Sequence, residues 1–164
     1  MDKNISIIVA IGKNNEIGYK NDLLWRISDD LKRFKRFTTD NIVIMGRKTF
    51  ESLPKGALPN RINIVITRDK NLQYKNCIMA NSIEDAIAKS DKTKELFIIG
   101  GEQIYKMAFP FCNKLYLTKV DEEFTADVFF PEINYNDWEV INSETIDKTE
   151  KNQYAHEFLE MIRK

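Results

Sequence analysis

The sequence predicts an α/β protein in three layers: a mixed, mostly parallel sheet, flanked by helices and closed by an antiparallel C-terminal end. Three observations predict it. Short runs rich in Ile and Val recur along the first part of the chain, continuous rather than alternating, as in strands covered on both faces. Helix-like stretches stand between them, which indicates parallel strands joined by right-handed crossovers. After Pro110 that alternation stops, and strand-like segments follow with no long helix between them.

The elements follow in order. The first buried strand is Ile5–Ile11. The longest irregular stretch, 12–27, comes next, and a loop of that length inside a compact domain is usually functional. Ser28 is a plausible N-cap, with Asp29 and Asp30 in the first turn, where the helix dipole favours acids. Residues 42–45, 62–67 and 96–99 read as the other buried strands. Residues 49–53 form a short helix stopped by Pro54, 82–88 a second capped by Ser82, and 102–109 a third that ends before Pro110. Residues 114–120, 138–146 and 153–162 read as strands added antiparallel at the end of the sheet.

A chain of 164 residues fits one domain, 1–164, with a core that needs no staples. The formal net charge is zero, so there is no global electrostatic case for nucleic acid or an anionic membrane. Cys77 and Cys112 form no CxxC pair and read as small hydrophobes in a reducing cytoplasm. The N-terminal apolar run ends at Gly12, too short for a membrane span, and no large apolar helix face calls for a partner. The expectation is a soluble, cytoplasmic monomer. The single histidine, His156, lies in a strand-like run near the C-terminus. Nucleophile–His–Asp chemistry and multi-histidine metal sites need more than this, so no residue is assigned to a metal.

One residue is out of place. At about 100° per residue, Ile27, Leu31, Phe34 and Phe37 share one helix face. Asp30 projects between Phe34 and Phe37, whereas Asp29 falls among Arg33 and Arg36 on the wet side. A carboxyl group among aromatics costs free energy unless it is protonated or paired, either inside the protein or with a ligand.

Three strand ends add a second signal. Ile99-Gly100-Gly101-Glu102 is strand, double glycine and helix start, which lets backbone approach a ligand closely. Met45-Gly46-Arg47-Lys48-Thr49 repeats the pattern with cations and a hydroxyl, and Thr67-Arg68 adds another cation. Ligands of open α/β sheets bind at the carboxyl ends of strands, so these ends suggest a ligand with more than one phosphate. Neither GxGxxG nor the ATP-type GxxxxGK[ST] is present.

Together these residues resemble dihydrofolate reductase of the bacterial chromosomal type. The anchors run along the whole chain: Ala10, Ile17-Gly18, Asn21, Trp25, Asp30-Leu31-x-x-Phe34-Lys35, Val43-Ile44-Met45-Gly46-Arg47-x-Thr49-x-x-Ser52, Leu58-Pro59-x-Arg61, Ile98-Ile99-Gly100-Gly101, Tyr105, Leu115-Tyr116-Leu117-Thr118, and Asp127 before Phe130-Pro131. The resemblance implies an eight-stranded sheet with about four helices. It also implies reduction of 7,8-dihydrofolate to tetrahydrofolate by NADPH, in the service of one-carbon metabolism, and binding of antifolate inhibitors.

The implied roles are specific. Asp30 accepts the paired N–H groups of the pterin and raises the basicity of N5, while a water held by Trp25 and Thr118 delivers the proton. Ile8, Val9, Ala10, Leu31, Phe34, Ser52, Leu53, Leu58, Ile99 and Tyr105 line the substrate pocket. Arg61 grips the α-carboxylate of the glutamate tail with its planar fork. Ala10, Ile17, Gly18, Asn21, Leu23, Gly46, Arg47, Lys48, Thr49, Ile99, Gly100, Gly101, Glu102, Gln103 and Ile104 bind the cofactor, and the Gly100-Gly101 peptide is cis. Arg47, Thr67 and Arg68 surround the 2′-phosphate, and residues 12–24 form the lid. Leu24, Ala126 and Asn81 stand where many or some relatives have proline, glycine and lysine. Two other readings remain: the reductase domain of riboflavin biosynthesis on the same scaffold, and a non-catalytic nucleotide-binding module. Trp25, Asp30 and Arg61 argue against the first, and a buried acid against the second.

Overall fold

The computed structural model describes residues 4–19 and 27–164. In chain order the elements are β1 (Ile5–Ile11), β2 (Glu16–Gly18), α1 (Ser28–Thr38), β3 (Ile42–Gly46), α2 (Arg47–Glu51), β4 (Ile62–Ile66), β5 (Cys77–Ala80), α3 (Ile83–Ala88), β6 (Leu96–Gly100), α4 (Glu102–Ala108), β7 (Lys114–Val120), β8 (Val128–Phe129), β9 (Trp138–Ile146) and β10 (His156–Arg163). Among the described residues one sheet has eight strands in the order β5-β4-β3-β6-β1-β7-β10-β9, and β2 pairs with β8 in a small second sheet.

Successive side chains of a strand enter opposite layers. Ile5, Ile7, Val9 and Ile11 of β1 join Ile42, Ile44, Leu96, Ile98, Leu115 and Leu117 in one core, covered by Ile83 and Ile87 of α3 and Ile104 of α4. The alternate residues Val43, Met45, Val65, Phe97 and Tyr116 form the other core with Phe50 of α2, and Phe37 of α1 packs against it. Both faces are therefore buried, which is why the central strands are apolar without alternation. Among the described residues no helix is long and apolar enough to cross a membrane.

Several expectations shift. Strand β5 is absent from the sequence reading because it is a short edge strand with Ile78 exposed. The segment 114–120, expected to be antiparallel, runs parallel to β1, because α4 returns the chain across the sheet before it. Antiparallel pairing begins only with β10, which lies between β7 and β9. That strand starts at His156 rather than at 153, and His156 is buried there. Helix α2 starts two residues early, at Arg47, so Thr49 lies inside it. Ser28 is the first residue of α1 and not its cap: Ile27 holds that position without a side-chain cap bond. The Ser82 cap is present, accepting from the Asp85 N–H.

Candidate active site

Helix α1 lies on the sheet face over β7 and β10, with Asp30 over Thr118 and Phe37 against Tyr116 and Phe158. The Thr118 hydroxyl donates to Asp30 Oδ1 at 2.5 Å, and Arg33 Nη1 donates to the same oxygen at 3.3 Å. Oδ2 takes no partner among the described residues. The Asp30 side chain is 25% exposed, so the acid is not sealed among aromatics as the helix phase suggested. The phase itself also needs correction. Arg33, expected on the wet side, is buried, and Leu31, expected in the apolar stripe, is 50% exposed. Asp29 is held by the Asn152 amide, which donates to Oδ2 at 2.7 Å. A helix between a sheet and an open cleft buries one flank and leaves another for a ligand, which a single apolar stripe does not describe.

Around Asp30 the strands supply an apolar surface. Ile8 and Ile99 lie on the α1 side of the sheet and, with Leu53 and Leu58, are only partly buried. Val9 does not wall this cleft: its side chain enters the opposite core, so only its backbone is available. Tyr105 sits beneath, its phenol donating to the Ile8 carbonyl at 3.1 Å. Burial, and secondarily the charge of Asp30, hold that phenol protonated well above its usual range. At the far end of α1, Arg61 Nη1 donates to the Thr38 hydroxyl at 3.1 Å and Nε to the Pro59 carbonyl at 2.9 Å. The guanidinium is thereby fixed on the exit of the cleft.

The strand-end glycines converge. Gly46 and Gly100 end neighbouring parallel strands, and a Cβ on Gly46 would come within 3.2 Å of Ile104 and 4.0 Å of the Gly100 carbonyl. Gly100 has φ +126°, its Cβ would meet the Tyr105 ring at 3.4 Å, and the Gly100–Gly101 peptide is cis. A Cβ on Gly101 would meet the Thr49 hydroxyl at 3.4 Å. A side chain would crowd Ile104 at Gly46, and at Gly100 the positive φ rather than the space favours glycine. Neither α2 nor α4 has a side-chain cap bond at its start, so their first N–H groups point into this space without one. Gly46 pairs with Ile66, which sets Thr67 and Arg68 beside Arg47. Arg47 also pairs with Glu51 at 2.9 Å. Ser52, Lys48 and Gln103 are exposed at the rim. The Glu102 carboxylate faces β8, accepting from the Phe129 N–H at 2.8 Å.

Beside this cleft, Ile17 and Gly18 lie in β2, tied to β8. Glu16 organises the turn before them. Its side chain is buried and accepts from the N–H groups of Asn14 at 2.5 Å and Phe124 at 2.6 Å. A Cβ on Gly12 would lie 2.9 Å from that carboxyl group, so a larger residue would have to displace Glu16 from its N–H partners. Asn21, Leu23, Leu24 and Trp25 lie outside the described residues. Among those described, no cluster of His, Cys, Asp and Glu could hold a metal ion. Arg33 and Glu16 were missed from the sequence. The i,i+3 spacing of Asp30 and Arg33 was the available signal for the first, and Glu16 carries none.

The family model for dihydrofolate reductase matches residues 4–163. The chain belongs to the dihydrofolate reductase family. It is 46% identical to the dihydrofolate reductase of Staphylococcus haemolyticus over 94% of this chain and 92% of that one. It is 43% identical to that of Bacillus subtilis, with the same coverage. Among solved structures, the dihydrofolate reductase of Enterococcus faecalis, complexed with NADP(H) and RAB-propyl, is 36% identical. That structure superposes with a TM-score of 0.88 over 97% of this chain and 95% of its own. The eight-stranded sheet is thus the dihydrofolate reductase fold.

Proposed function

We propose that this chain reduces 7,8-dihydrofolate to 5,6,7,8-tetrahydrofolate with NADPH, and that Asp30 anchors the pterin. The observation that carries the assignment is the Asp30 carboxylate, fixed through Oδ1 by Thr118 and Arg33, 25% exposed, and without an Oδ2 partner among the described residues. A planar ring with adjacent N–H and amine donors meets such a group in two charge-assisted bonds. Ile8, Leu31, Phe34, Leu53, Leu58 and Ile99 flank the ring and the benzoyl group, and Tyr105 supports the cleft from below. Arg61 receives the α-carboxylate of the glutamate tail.

The residues at the glycine-lined strand ends fit a dinucleotide: the glycines leave the backbone open to close approach, and the helix starts without side-chain caps would offer N–H donors to its phosphates. Gly46, Thr49, Gly100 and Gly101 would hold the pyrophosphate side, and Arg47, Thr67 and Arg68 the 2′-phosphate, which favours NADPH over NADH. Held there, NADPH would supply the hydride for C6 of the pterin. Asp30 orients the ring for that transfer and makes N5 more basic. Thr118 and Trp25 place a water that delivers the N5 proton. The base of the lid, held by Glu16 and β8, closes the cleft against bulk solvent. The test is oxidation of NADPH on addition of dihydrofolate, with Asp30→Asn as the inactive control.

A further inference from the structure

We infer that Arg33 is a positioning residue for dihydrofolate, acting through Asp30; the inference rests on the proposed reduction of dihydrofolate. Three aligned residues carry it. Thr118, Phe158 and Glu144 face one another in register across β7, β10 and β9. Asp30 stands over Thr118, and the Arg33 guanidinium stands over Phe158, 4.5 Å from the ring centroid. From there Nη1 reaches Asp30 at 3.3 Å and Nη2 reaches Glu144 at 3.8 Å.

The burial order gives the direction of action. Arg33 is 4% exposed and Asp30 25%, so the cation lies behind the carboxylate and does not meet the ligand itself. The terminal torsion of an aspartate is broad, and one hydroxyl donor leaves the carboxylate free to turn. Thr118 holds it from the sheet, and Arg33 holds it from one turn along its own helix. A buried guanidinium also keeps its counter-charge close. Together these fix the plane in which Asp30 presents itself. A pair of parallel hydrogen bonds to a flat ring is selective for that plane.

The test is a double-mutant cycle read by fluorescence titration of dihydrofolate. Arg33→Met is expected to weaken dihydrofolate binding about tenfold with Asp30 present, and less than about twofold in the Asp30→Asn background, a coupling in the range seen for contacting residues. NADPH affinity is expected to stay unchanged in all four proteins. Arg33→Lys keeps the charge and is expected to recover most of the loss. Should Arg33→Met fail to fold, Arg33→Gln takes its place in the cycle with the same outcomes. An equal loss in both backgrounds, a parallel loss of NADPH affinity, or a lysine variant as weak as the methionine variant would overturn the role. If the parent protein does not oxidise NADPH with dihydrofolate, the functional reading fails; if it does and the cycle shows no coupling, only the role of Arg33 fails.

Discussion

Replacing Asp30 by asparagine keeps the shape of the side chain and removes its charge. The amide oxygen can still accept from Thr118 and Arg33, which bind Oδ1 at 2.5 and 3.3 Å. The amide nitrogen then takes the place of Oδ2 and turns donors toward the donors of the pterin. Two charge-assisted bonds are lost, each worth about 1.5–3 kcal/mol. The expected loss in kcat/KM is therefore about 3–6 kcal/mol, or roughly two to four powers of ten. NADPH affinity should hold, since the glycine-lined strand ends do not involve Asp30. What remains of the activity should rise as pH falls, because protonation of N5 then draws on the solvent. Absorbance decay of NADPH measures the rate, and fluorescence titration measures cofactor binding. A kcat/KM within tenfold of the parent at neutral pH would refute the assignment.

Other outcomes follow from the same geometry. Arg61→Leu should raise the KM for dihydrofolate by about one to two powers of ten, the worth of a charge-assisted pair, while NADPH affinity is unchanged; equal losses of both would mean the residue serves another purpose. Arg47→Ala with Arg68→Ala should narrow the preference for NADPH over NADH in steady-state kinetics, and an unchanged ratio would remove both from the 2′-phosphate. Burial pushes the Tyr116 phenol up to about 12, and Tyr105 higher still. Their stabilising contribution is intact below the unfolded value of about 10 and is lost as pH rises through the folded values. Urea unfolding should therefore show stability falling through the alkaline range, with a shallower fall in Tyr116→Phe; identical slopes would contradict the burial argument.

The central strands were legible because both their faces are buried, which removes the ambiguity of alternation from runs such as Ile42–Gly46. Short pieces were not. Strand β5 lies at the sheet edge with Ile78 exposed, and β2 and β8 are two to three residues long and pair only with each other. At the site, glycines were readable because backbone contact needs them whatever surrounds them. Asp30 was readable as an acid on the wrong face, but its surroundings were not. A helical wheel assigns Arg33 to water because it is charged, and it takes the tertiary row of Thr118, Phe158 and Glu144 to bury it. Leu31, on another flank of α1, is left exposed. Glu16 was invisible because its partners are backbone N–H groups, that of Asn14 in the adjoining turn and that of Phe124 in a loop distant in sequence.

The most direct test needs only the parent protein: mix it with NADPH and 7,8-dihydrofolate and follow the absorbance of NADPH at neutral pH. The expected result is a decay that depends on both substrates, yields tetrahydrofolate in equal amount, and is nearly abolished in Asp30→Asn. No decay with folded, NADPH-binding protein, or a decay that persists unchanged in Asp30→Asn, would contradict the claim that Asp30 anchors a pterin for reduction.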